Sequence, residues 1–170
     1  MNKKGLTLIE AVAVIVVMGL AIPVLLRLFA DVSYKSARSE SLSVATFYAE
    51  QLTEEIKSKR FDENSFYPWT TTMGPDTSTK GLDGVNNETT SGKSNWDDVD
   101  DFNGYSDAPA AGYSRSVVVD YLDSSISDGG TWQALSSGTS NYKRVTVTVS
   151  RGTLTGNVTL VTIISAMRIW

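Results

Sequence analysis

The chain of 170 residues contains no cysteine and no histidine. These absences remove the thiolate nucleophile, the imidazole base and the commonest zinc ligands together. No glycine-rich phosphate loop follows a strand-like segment, and no acid stands at a spacing that suits acid–base chemistry. An enzyme is therefore not expected. Basic residues are scarce beyond Arg60, where seven Lys and Arg face 13 Asp and Glu. That balance argues against nucleic acid as a direct partner. Glycine and proline are missing from residues 27–59, although the chain holds 13 Gly and four Pro. Nothing in that stretch would break a helix. No internal repeat is evident, and the length suits one domain behind an N-terminal helix.

What is present is a long apolar run. From Leu6 to Leu26 only Thr7, Glu10, Gly19 and Pro23 interrupt the apolar side chains. As a helix these residues would extend roughly 30 Å, the thickness of a bilayer core. Lys3 and Lys4 precede the run, so the positive-inside rule leaves the N-terminus cytoplasmic and sends the rest across. Glu10 lies within the span, where a charge costs about 3 kcal/mol even on lenient scales, and such a group carries a functional expectation.

Three readings of this segment compete. A secretory signal cut after Ala21 fits the small residues Gly19 and Ala21 but is opposed by Glu10 and by Pro23 just beyond. A plain signal anchor explains the hydrophobicity and the lysines but not Glu10. The third is a prepilin leader, removed on the cytoplasmic side after Gly5, with the apolar segment kept in the mature protein.

The residues Lys3-Lys4-Gly5-Leu6-Thr7-Leu8-Ile9-Glu10 resemble the N-terminus of type IV pilins and of the pseudopilins of type II secretion. Leu6 is a mild departure from the usual Phe. The resemblance implies cleavage by prepilin peptidase between Gly5 and Leu6 and methylation of the new N-terminus at Leu6. It implies an inner-membrane precursor with one span, handed by an assembly platform to a periplasmic or extracellular filament of other pilin subunits. It also implies that Glu10 pairs with the α-ammonium of a neighbouring subunit's Leu6. The physical chemistry agrees: each charge alone is costly in an apolar core, and the two offset one another when paired. Pro23 is expected to kink or locally unwind the helix.

Leu42, Ala45, Ala49, Leu52 and Ile56 recur at helical spacing, and Lys57, Lys59 and Arg60 suit a helix C-terminus. A single helix from Leu6 to Lys59 would extend about 80 Å. Its first half would be apolar all round, and its second half would lay one stripe on a globular domain. The pattern is too short to favour a coiled coil.

Residues 61–112 are rich in Thr, Ser, Asn, Asp and Gly and read as loops with short structured pieces; the resemblance to pilins implies that this is the variable, outward-facing region. Phe66, Tyr67 and Trp69 are candidates to anchor it to a sheet. Within it, Asn95-Trp96-Asp97-Asp98-Val99-Asp100-Asp101-Phe102-Asn103-Gly104-Tyr105 concentrates acids among aromatics. Asp97, Asp98, Asp100 and Asp101 are candidate calcium ligands, although the spacing fails the EF-hand template. The plainer reading is a solvated acidic turn pinned by its aromatics. A similar stretch occurs in minor pilins of the mannose-sensitive haemagglutinin type.

The last third alternates. Residues 113–122 and 142–151 place Val117, Val119 and Tyr121, and Val145, Val147 and Val149, on one face each. A third strand is expected over residues 158–167, antiparallel after a short turn. Trp132 and Trp170 are read as packing residues. The expected fold is α+β: a long N-terminal helix laid on a small antiparallel sheet. Its divisions are a leader (1–5), a transmembrane or filament-core helix (6–27), the amphipathic half of that helix (28–60), a variable loop (61–112) and a sheet (113–170). The expected role is that of a structural filament subunit, a minor pilin by preference because no Cys pair is present. A type II secretion pseudopilin is the first alternative. A surface adhesin or calcium-binding pilus-associated protein is the second.

Overall fold

The computed structural model describes residues 7–62, 65–66, 69–70, 93–123, 132–136, 138–152 and 156–166. The chain forms two compact units, residues 1–41 and residues 42–170. Helix α1 (Leu8–Lys57) runs through the boundary between them. It starts where a Thr-x-x-Glu capping pattern directs it to start. Thr7 Oγ1 accepts the Glu10 backbone N–H at 3.4 Å, and Thr7 O accepts the first helical bond from Ala11 N–H at 3.1 Å. Pro23 lies inside α1, which is continuous through it rather than broken there.

In the first unit the large apolar side chains of α1 are exposed on every side, from Leu8 to Tyr34. Among the described residues, one helix is long and apolar enough to cross a membrane. Many of its residues are β-branched, which mildly disfavours helix in water. A bilayer or another apolar medium reverses that balance, because the helix satisfies its own backbone groups.

In the second unit α1 turns amphipathic. Ala45, Ala49, Leu52 and Ile56 are fully buried. Leu42, expected at the head of this stripe, is 39% exposed, and Ser41 is buried in its stead at 8%. The buried face runs through positions 41, 45, 49, 52 and 56, so Leu42 lies about 100° round the helix from Ser41 and misses it. Ser41 Oγ returns its proton to Ala37 O at 2.9 Å, which makes a hydroxyl tolerable there.

The helix packs on a four-stranded antiparallel meander of β3 (Ser106–Asp107), β4 (Tyr113–Tyr121), β5 (Tyr142–Arg151) and β6 (Val158–Ser165), in that spatial order. The register aligns Val117 with Val147 and Leu160, and Val119 with Val145 and Thr162. One face of the sheet is thus a valine surface, and it closes on the Ala and Leu stripe of α1. Burying each such Leu or Val stabilises the fold by about 1.5–3 kcal/mol. β5 coincides with the expected strand. β6 starts where expected and ends at Ser165, short of the expected residue 167, with Ala166 already outside the strand and Met167 outside the described residues. A separate two-residue pair joins β1 (Ser65–Phe66) to β2 (Trp69–Thr70). Tyr67 and the side chains of Phe66 and Trp69 lie outside the described residues, as does Trp170. Trp132 packs edge-on against Tyr142, with ring centroids 5.1 Å apart.

The acidic segment departs most from expectation. It is not an outward-facing solvated turn. Trp96, Val99 and Phe102 belong to the main core, and Asp98, Asp100 and Asp101 are buried with them. Trp96, Phe102 and Tyr105 stack edge-to-face, with centroids 5.0–6.1 Å apart. Gly104 takes φ +79° after the short 3-10 turn of Asp100–Phe102, a conformation that side chains with a Cβ adopt at a cost. Its N–H then donates to Val117 O at 3.1 Å, fastening the turn to β4.

Candidate functional site

Two groupings of charge stand out, one on the exposed helix and one inside the globular unit. Glu10 is the acid in the first turn of α1, exposed, and bordered by the exposed Leu8, Ile9 and Val14. Its carboxylate is aided by the helix dipole. The capping role of Thr7 was missed in the sequence, although Thr-x-x-Glu was there to be read. Gly5 and Leu6 lie outside the described residues.

The internal grouping is built by strand alternation. Lys143 stands two residues before Val145 on β5, so it points to the same buried face and is 0% exposed. Its ammonium reaches Asp62, just beyond α1, at 3.1 Å, and also contacts Asp100 Oδ1 and the Phe61 carbonyl. The rings of Phe61 and Tyr121 flank it at 4.7 and 5.0 Å, a cation–π arrangement. Tyr121 O–H donates to Asp62 Oδ1 at 3.1 Å. Burial pushes the Tyr121 phenol up, reinforced by Asp100 and Asp62. Burial also draws the Lys143 ammonium down, but Asp100, Asp98 and Asp62 together outweigh it and raise its pKa.

The four Asp of the acidic motif do not converge as a ligand set. Asp97 turns toward Arg60 at 3.3 Å. Asp101 Oδ2 accepts the backbone N–H groups of Asp97 and Asp98 at 2.9 and 3.1 Å. Asp98 Oδ1 accepts those of Asp100 and Asp101 at 2.7 and 3.1 Å. These acids hold their own turn, as Asx-type bonds do. The carboxylates that do converge are Asp62, Asp98 and Asp100, with oxygens within 4.8 Å of one another. Asp62 comes from outside the motif, and the cation between Asp62 and Asp100 is the Lys143 ammonium. Burial, followed by the Asp100 charge, pushes the Asp98 carboxyl well above the usual carboxylate range.

A second clamp links helix and sheet. Arg115, on the inward face of β4, grips Asp107 through Nε at 2.8 Å and Nη2 at 2.5 Å. Its Nη1 donates to the Tyr48 carbonyl of α1 at 3.2 Å. Hydrogen bonding to Arg115 holds the Asp107 carboxyl below its ordinary range. Tyr105 O–H donates to Asp107 at 2.9 Å, and burial together with that bond pushes the phenol up to about 12. Lys93 bridges Glu55 at 2.9 Å and lies 4.6 Å from the Tyr105 ring.

Comparison with known protein families, characterised proteins and solved structures finds no match.

Proposed function

We propose that this chain is a structural subunit of a type IV pilus-like filament, a minor subunit by preference, and not an enzyme. In this reading prepilin peptidase removes residues 1–5, Leu6 becomes the methylated N-terminus, and the precursor waits in the inner membrane with its N-terminus cytoplasmic. An assembly platform then moves it into a filament of other pilin subunits. The same assembly chemistry would serve a type II secretion pseudopilus.

The observation that carries the reading is Glu10: an exposed carboxylate on a helical segment whose large apolar side chains are exposed on all sides. Such a surface calls for lipid or for like helices, and Glu10, the acid within the apolar run to Leu26, calls for a cation in the same medium. Cleavage after Gly5 would create that cation at Leu6. The globular unit supports the reading in a different way. Its Arg115 and Lys143 are engaged in internal clamps, and its amphipathic stripe is covered by its own sheet. The first half of α1, by contrast, is uncovered along its described length.

The test is incorporation of Glu10→Val into filaments sheared from cells. The variant should reach the membrane and be processed like the wild type, because neither step needs the carboxylate, yet be depleted from the filament fraction. Incorporation at the wild-type level would overturn the pairing.

A further inference from the structure

The buried Lys143 cluster has the components of an amide-forming site. The amine-bearing atom is fully buried, lies in contact with Asp100 Oδ1, and is walled by the Phe61 and Tyr121 rings. A third carboxyl, Asp98, has its oxygen within 4.8 Å of those of Asp100 and Asp62, and its orientation is set by the two backbone N–H groups it accepts. We propose that Lys143 and Asp100 join in an intramolecular isopeptide bond, with Asp98 as the carboxyl that relays the proton.

The chemistry balances without any external reagent. One proton passes from the Lys143 ammonium to the Asp100 carboxylate, giving a neutral amine and a neutral acid. The amine lone pair attacks Asp100 Cγ and a C–N bond forms. Asp98 takes a proton from the nitrogen and delivers its own to the departing oxygen. The C–O bond breaks, one water leaves, and Asp98 ends as it began. In water this condensation is blocked because amine and acid rest as separate ions. Here too the resting pair is ionic, since the surrounding aspartates raise the Lys143 pKa; what the site supplies is contact, which replaces a bimolecular encounter and lets the proton pass directly from the ammonium to Asp100. Asp98, held above the usual carboxylate range by burial and by Asp100, keeps the proton that the relay needs at neutral pH. The product would tie β5 to the acidic turn across 43 residues, a covalent staple in a chain without cysteine. It would also remove two buried charges whose desolvation is costly.

Mass spectrometry of the full-length protein, purified from membranes and digested, reads this directly. The prediction is a branched species joining the Lys143 peptide to the Asp100 peptide, lighter by one water than the two separate peptides, with neither unmodified peptide in quantity. Asp98→Asn retains the oxygen that accepts the Asp100 and Asp101 N–H groups, so the turn should fold while cross-linking falls at least tenfold. Lys143→Arg should abolish the branched species. Separate, unmodified Lys143 and Asp100 peptides from the wild-type protein would overturn the proposal. Full cross-linking in Asp98→Asn would overturn the relay assigned to Asp98.

Discussion

Arg115 and Lys143 show how single residues carry this fold. Both stand on the valine faces of central strands, two positions from Val117 and Val145. Strict alternation made their inward direction readable. Their partners were not readable, because Asp107, Asp62 and Asp100 come from segments whose sequence reads only as polar loop. The Arg115 pair lends itself to measurement. Asp107→Asn should cost about 1.5–3 kcal/mol in urea unfolding, the range for hydrogen bonds to charged groups. The sign with pH follows from the depressed Asp107 pKa. Its contribution is fully present above the unfolded carboxylate value, near 4, and is lost as pH falls through the lower folded value. The stability gap between wild type and Asp107→Asn should therefore close below about pH 4. A gap that stays constant down to pH 2 would contradict the pairing.

Among the elements, the helix stripe and the valine strands were the most legible, since each repeats its period over several turns or pairs. The lapse at Leu42 is instructive. Spacing from Leu42 to Ala45 satisfies a helical pattern, but Ser41 is the residue aligned with Ala45, Ala49, Leu52 and Ile56. A small polar residue that returns its hydrogen bond to the helix is hard to distinguish from a solvated one. The contrast can be tested by thermal or urea unfolding of the globular unit. Leu52→Ala should cost about 2–5 kcal/mol as a core truncation. Leu42→Ser should stay within about 0.5 kcal/mol, as surface changes do. The acidic segment was legible in composition but not in location. Its aromatics suit a core as well as a surface anchor, and what draws the turn inward comes from distant positions: the pairing of Arg60 with Asp98, the Gly104 N–H on Val117 O, and Lys143 on Asp100. Gly104→Ala has open space for its Cβ but a left-handed backbone to maintain, so it should cost about 1–2 kcal/mol.

At the scale of the whole molecule, the two units differ in what they expose. Residues 42–170 hold the buried core and the Arg115 and Lys143 clamps, while the helix of residues 8–34 exposes apolar surface all round. The first-half helix was evident from its apolar run. In the proposed function its use depends on a chemical event, the creation of an α-ammonium at Leu6, to which the resemblance of residues 3–10 to prepilin leaders points. Glu10 has a partner in an apolar filament only if that bond is cut. The mass of the mature N-terminal peptide from protein purified out of membranes is therefore the most direct measurement. A peptide that begins at Leu6 and carries one added methyl group is the predicted result. A chain that still begins at Met1, or one that begins at Ile22 after signal-peptide cleavage, would contradict the account.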